Sequence, residues 1–202
     1  MRSCWGVLWA MPVLAQTLNP SGLNPSSLDP SISVTDIRGQ ILHPFHVAGN
    51  AASVVFFVTN DCPISNIYAH EIRRICDSYA PHASCLLDYV DPSLTESQVS
   101  RHMTDFGHGG YSAVIDRKHL LVKAAGATVT PEALVVTPGG KIAYRGRIDN
   151  LYVRLGQARP KPTQFDLRAA LDAVIAGRAV DQPGAPAIGC SITPLELLQH
   201  SR

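Results

Sequence analysis

Val54-Val55-Phe56-Phe57-Val58-Thr59-Asn60-Asp61-Cys62-Pro63-Ile64-Ser65-Asn66 is the stretch on which the reading of the whole chain turns. The apolar run Val54–Val58 is short, β-branched and aromatic, which is the composition of a strand buried on both faces. Thr59-Asn60-Asp61 is a polar turn. Beyond it Ile64, Tyr68, Ile72, Ile75 and Tyr79 recur at helical spacing. Pro63 suits a first helical turn, where its missing N–H costs nothing. Cys62 therefore falls at the junction of a central strand and a helix N-terminus. Free backbone N–H groups and the helix dipole at such a place favour a thiolate over a thiol. A thiolate is the form that nucleophilic and redox chemistry uses. The competing reading is a buried structural cysteine, against which stand the polar turn and the helix-starting proline.

These residues resemble the thioredoxin-like superfamily, in particular its redoxin or alkyl hydroperoxide reductase/thiol-specific antioxidant branch. Cys62-Pro63-Ile64-Ser65 stands where C-x-x-C stands in that superfamily, with Ser65 in place of the second cysteine. Thr59-Asn60-Asp61-Cys62 is similar to the T-x-x-C end of the peroxiredoxin motif P-x-x-x-T-x-x-C, with Val55 in place of its proline. Gly126-Ala127-Thr128-Val129-Thr130-Pro131-Glu132-Ala133 looks like the segment that carries a cis-proline beside the active cysteine. The resemblance runs from about Ser31 to Val180. It implies an α/β, thioredoxin-like fold: a central mixed sheet flanked by helices, with an N-terminal β extension and a C-terminal tail. It also implies a thiol oxidoreductase, peroxiredoxin-like or disulfide-exchanging, that calls for no cofactor.

Around that centre the chain divides simply. Its 202 residues allow one domain with a substantial core plus tails, and the net charge of +1 gives no basic patch for nucleic acid. Residues 1–15 read as a secretory signal: Arg2, an apolar Trp5–Leu14, and Val13-Leu14-Ala15 as a cleavage site before Gln16. The segment is too short for a membrane span, and the other reading is a buried N-terminal helix. Export places the mature chain in a periplasm or outside the cell, where disulfides persist. Residues 16–30 read as a linker, 31–180 as the thioredoxin-like domain and 181–202 as a cysteine-bearing tail. Within the domain Ser33–Ile37 and Gln40–Leu42 suggest a hairpin. Cys85–Val90 suggests a second parallel strand. Thr95 and Gln98 form a capping box for a helix through Val99, His102, Met103 and Phe106. Ala113–Ile115 is a short strand candidate, and Leu120–Ala124 is the approach to the proline segment. Glu132–Thr137 and Lys141–Tyr144 flank the turn Pro138-Gly139-Gly140. Thr163 reads as the N-cap of a final helix through Leu167, Ala170, Leu171, Val174 and Ile175, closed by Gly177.

Cleavage would remove Cys4 and leave Cys62, Cys76, Cys85 and Cys190, an even count in an oxidising compartment. Cys76 and Cys85 are either a bridge closing the turn between helix and strand or two packed thiols. Cys190 lies on a Pro/Gly-rich tail that could fold back over the active site. Ser65 cannot resolve an oxidised Cys62, so a second thiol must come from elsewhere, and Cys190 is the internal candidate. The alternatives for Cys190 are a bridge to another chain and a free thiol.

Thr59 is a candidate hydrogen-bonding partner for a peroxide or the thiolate, and Ser65 a candidate donor from the first helical turn. Each has a plainer reading, as a strand-end residue and as an ordinary first-turn residue. In resembling peroxiredoxins an arginine approaches the cysteine from a nearby strand. Arg145 and Arg147 are the residues to consider, and the surface reading is preferred for both. His43, His46, His70, His82, His102, His108 and His119 are scattered, without metal-ligand spacing to a cysteine. The candidate site is Cys62, Cys190, Thr59, Ser65 and Pro131, with no metal. Its substrate is a peroxide or a protein disulfide, and its reductant an external thiol. Thr59 favours the peroxide, captured as a sulfenic acid at Cys62. Pro63, as in C-P-x-x motifs, and Val55 favour disulfide exchange. The alternative of another class is a non-catalytic thioredoxin-like binding or copper-delivery module. Copper carriers on this fold use C-x-x-x-C, and here that fourth position is Asn66.

Overall fold

The computed structural model describes residues 27–198, so the expected signal segment and most of the expected linker lie outside the described residues. Strand β1 (Ala52–Val58) is buried along its whole length. It must be flanked on both edges and both faces. On one edge it pairs in parallel with β2 (Ala83–Tyr89), which pairs in parallel with β3 (Ser112–Ile115). On the other edge it pairs antiparallel with β4 (Glu132–Thr137), and β4 pairs antiparallel with β5 (Lys141–Gly146). A two-residue strand β6 (Gly184–Ala185) adds in parallel to β5. The sheet order is β6-β5-β4-β1-β2-β3.

Alternation along β1 divides the core. Val54, Phe56 and Val58 face the helices α1 (Pro63–Tyr79), α2 (Glu96–Asp105) and α4 (Asp166–Ile175), through Ile72, Ile75, Val99, Met103, Leu167 and Leu171. Val55 and Phe57 face α3 (Leu120–Ala125) and the N-terminal segment, through Leu121, Val122, Phe45 and Leu28. Leu28 belongs to the stretch read as linker. It is packed in this second layer, and its N–H donates to the Gly140 carbonyl at 2.7 Å.

Several local expectations change. The N-terminal hairpin is reduced to Val34–Thr35 against Ile41–Leu42. The approach to the proline segment is a helix, α3, because the carboxylate of Asp116 accepts the N–H groups of Leu120, Leu121 and Val122. The final helix begins at Asp166 rather than after a Thr163 cap. The N–H groups of Thr163 and Gln164 are taken instead by Asn150 Oδ1, at 2.8 and 3.0 Å. The expected capping box of α2 is present, with Gln98 N–H donating to Thr95 Oγ1 and Thr95 N–H to Gln98 Oε1. Segment 181–198 does not hang free: after β6, Cys190–Ser191 pairs antiparallel with Val129–Thr130.

Candidate active site

Cys62 is the N-cap residue of α1. Its carbonyl accepts the Asn66 N–H at 3.0 Å, and its Sγ accepts the Ser65 N–H at 3.4 Å. The helix that starts here is 17 residues long and has no acidic side chain in its first turn. No carboxylate within the helix's first turn therefore offsets its dipole at the sulfur. The donor that Ser65 supplies is its backbone N–H. Thr59, at the end of β1, donates its hydroxyl to Asp61 Oδ1 at 2.9 Å.

The facing wall is the proline segment. The Thr130–Pro131 peptide bond is cis, as the resemblance implied. The Thr130 carbonyl oxygen lies 3.2 Å from Cys62 Sγ. Two side chains fasten this segment from behind. Arg145 Nη1 donates to the carbonyls of Ala125 and Gly126, at 2.6 and 3.2 Å. Arg145 Nε also pairs with Glu132 Oε1 at 3.4 Å, while Glu132 Oε2 accepts the Thr128 N–H at 3.0 Å. Burial pushes the Glu132 carboxyl above its ordinary range, with the Thr128 N–H and Arg145 acting against it. Arg147 is engaged by Asp166 and Gln164. Neither arginine is bonded to the cysteine; both have structural partners.

Cys190 arrives opposite Thr130 and is joined to Cys62 by a disulfide, with Cα atoms 6.1 Å apart, a normal span for such a bond. Cys62 is 1% exposed, whereas Cys190 is half-buried. A cleft of about 360 Å³ opens beside them, lined by Thr59, Asp61, Asp91, Ser93, Thr193 and Leu198. A larger groove, about 580 Å³, lies between the back of the proline segment and residues 183–187 and includes neither cysteine. Thus Cys62, Cys190, Thr59, Ser65 and Pro131 are gathered at one place. Cys76 and Cys85 form a second disulfide away from it, Cα atoms 5.9 Å apart.

A run of side-chain hydrogen bonds that sequence reading missed supports the turn before Cys62. Asn66 Nδ2 donates to the Asn60 carbonyl at 3.0 Å, leaving Asn66 Oδ1 to accept from His102 Nε2 at 2.9 Å. His102 Nδ1 then accepts from the Tyr89 hydroxyl at 2.8 Å. This pattern fits a neutral imidazole protonated at Nε2. Burial foremost, and then the neighbouring His108, lower the His102 pKa and favour that state. The signal available in the sequence was the i, i+4 placement of Asn66 after Cys62, which carries no pointer to His102. Among the described residues no group of three His, Cys, Asp or Glu side chains could hold a metal ion. None of the described helices is long and apolar enough to cross a membrane.

No protein-family model matches the chain, and no curated protein sequence does. Solved structures do. An uncharacterized conserved protein from Geobacillus kaustophilus is 26% identical, with 83% of this chain and 92% of that one aligned and a TM-score of 0.71. A hypothetical protein from Sinorhizobium meliloti 1021 is 24% identical over 85% and 94% of the two chains, TM-score 0.71. A thioredoxin-like protein from Aeropyrum pernix is 16% identical over 73% and 89%, TM-score 0.53. With the sheet order and the cis-proline loop, these likenesses establish the class: the chain has a thioredoxin-like fold.

Proposed function

We propose that the protein is a thiol oxidoreductase of the thiol–disulfide exchange kind, with Cys62 as nucleophile and Cys190 as resolving thiol. The observation that carries this reading is the placement of the two sulfurs. Cys62 Sγ sits on the N-terminus of α1 with the Ser65 N–H directed at it, and Cys190 is bonded to it across the proline segment. In the cycle that follows, the Cys62 thiolate attacks one sulfur of a partner disulfide, and the other sulfur leaves with the bonding pair. Cys190 then attacks Cys62 Sγ and expels the partner's remaining thiol. Two electrons pass to the partner, and the Cys62–Cys190 disulfide is the oxidised product. An external dithiol returns it to two thiols.

The engagement of Arg145 and Arg147 elsewhere weighs for exchange over peroxide reduction, since no cation among these two stands at the sulfur to polarise a peroxide. The second reading keeps one observation in its favour: Thr59 lines the cleft beside Cys62. The test is reduction of a cystine-containing peptide by glutathione. The wild-type chain is expected to accelerate it and Cys62→Ser to abolish the acceleration. In Cys190→Ser the peptide is expected to accumulate as a mixed disulfide on Cys62. Absence of acceleration by the wild-type chain would remove the exchange reading. Rapid consumption of hydrogen peroxide in its place would establish the peroxide reading.

A further inference from the structure

The oxidised molecule covers its own nucleophile. Residues 183–192 run across the site as a strap fixed at two ends. At one end Arg145 N–H donates to the Pro183 carbonyl and Arg147 N–H to the Ala185 carbonyl, both at 2.9 Å. At the other, Cys190 and Ser191 stand opposite Thr130 and Val129, and Ile192 N–H donates to the Thr128 carbonyl at 2.9 Å. The close approaches are made at glycines. A Cβ on Gly146 would overlap the Ala185 carbonyl oxygen, and one on Gly184 would stand 2.9 Å from the Arg145 carbonyl oxygen. A Cβ on Gly189 would overlap the Thr130 carbonyl oxygen and lie 3.2 Å from Pro131 N. The seat therefore requires the absence of a side chain next to Cys190, against the residue pair that forms the cis bond.

We propose that residues 183–192 are a redox-released strap, in which Gly189 is a positioning residue that seats Cys190 on the proline segment and reduction of the disulfide frees the strap to uncover Cys62. The proposal rests on the exchange reading above. The strap's backbone pairing consists of two-residue ladders, too short to hold a segment firmly without the covalent bond. In the closed state Cys62 is 1% exposed, so the sulfur an incoming thiolate meets is that of half-buried Cys190. Attack there forms a bond between the reductant's sulfur and Cys190 Sγ and breaks the Cys62–Cys190 bond. The electron pair departs on Cys62 Sγ, where the Ser65 N–H and the α1 N-terminus receive it. The reductant's second thiol then displaces Cys190. The reductant is oxidised to a disulfide, and both protein sulfurs end as thiol or thiolate. With the strap released, the face of the proline segment that Cys190 occupied is free for the disulfide of a partner chain.

The test uses the full chain equilibrated in glutathione buffers, with each disulfide quantified by thiol alkylation and mass mapping. Cys76–Cys85 serves as an internal reference in the same molecule. Gly189→Ala is expected to lower the equilibrium constant for Cys62–Cys190 by about tenfold or more and to leave Cys76–Cys85 unchanged. Amide hydrogen exchange of the wild-type chain is expected to be faster in residues 183–192 by about tenfold or more after reduction, with β1 unaffected. An unchanged Cys62–Cys190 constant in Gly189→Ala overturns the positioning role. Equal protection of the strap in both forms overturns its release. If Gly189→Ala also weakens Cys76–Cys85, the fold itself has been disturbed, and the exchange measurement on the wild-type chain decides. Failure of Cys62 and Cys190 to pair at any glutathione ratio would remove the exchange reading instead, a result distinct from either.

Discussion

Helix α1 carries a cysteine near each end, and the two are not equivalent. Cys62 precedes the first turn, where free N–H groups converge and the dipole is positive. Cys76 lies close to the C-terminal end at Tyr79, only 2% exposed in the core with Ile75, Val54 and their neighbours, where the dipole is negative and the surroundings apolar. A thiolate is stabilised at the first place and opposed at the second. Their partners differ in the same sense. Cys85, nine residues along from Cys76, opens out of the next strand of the sheet. Cys190 is 128 residues from Cys62 and rides on a strap with only two-residue pairing at either end. One bond closes a short turn between packed elements; the other joins a helix N-terminus to a segment with short pairing at either end, the arrangement the proposed exchange cycle calls for. The location of each disulfide relative to the helix, and the stiffness of what it joins, are what assign Cys76–Cys85 as a staple and Cys62–Cys190 as the working pair in the proposed function.

Cys62→Ser is expected to bring cystine-peptide reduction down to the uncatalysed background. Cys76→Ser with Cys85→Ser is expected to leave the rate near wild type, both read in the same glutathione-coupled assay. The double variant should instead lose stability. Closing a loop of this length is worth about 2–3 kcal/mol in the unfolded-chain entropy model, a fall of roughly 5–10 °C in melting temperature for a domain of this size. Equal stability with and without Cys76–Cys85 would remove its role as staple.

His102→Phe removes both bonds that His102 makes to Asn66 and Tyr89, and is expected to cost about 1–2 kcal/mol in urea unfolding. The reduction rate should fall as well, because Asn66 then loses the partner that orients its amide against the turn before Cys62. Unchanged kinetics would confine this network to stability.

The smallest effect concerns the strand that carries Cys85. Asp88 is fully buried and neither carboxylate oxygen has a partner among the protein atoms. Burial, and secondly the charge of Asp116, hold its carboxyl well above the ordinary 3.8. Above that ordinary value the unfolded chain releases this proton while the folded chain keeps it. The folded state then binds more protons, and stability falls as pH rises until the raised pKa is passed. Asp88→Asn should flatten this part of the pH profile of unfolding and leave the exchange rate unaffected. A profile as steep as wild type would mean that Asp88 ionises normally in the fold.

How much of this was legible in the sequence depended on how local each cause is. The strand, turn and helix around Cys62 were readable because the apolar run, the polar turn and Pro63 are contiguous. Pro131 and Cys190 were readable through motif resemblance and cysteine arithmetic. The actual partner of Thr163 was not: a locally good cap lost to Asn150, thirteen residues upstream in sequence. Helix α3 was missed because its cap, Asp116, sits four residues before its first turn and reaches it across a positive-φ His119. Arg145 reads as a surface residue until the fold brings the Ala125 and Gly126 carbonyls to it. Gly189 looks like one more glycine of a Pro/Gly-rich tail. Its meaning appears only when Thr130 lies against it.

In the proposed function Cys62–Cys190 is the working disulfide and Cys76–Cys85 is not. The most direct test is a time course of reduction of the fully oxidised chain by a limiting dithiol, quenched by alkylation and mapped peptide by peptide. Labels on Cys62 and Cys190 are expected to appear together and early, while Cys76 and Cys85 stay paired. Labelling of all four cysteines at one rate, or of Cys76 and Cys85 first, would contradict it.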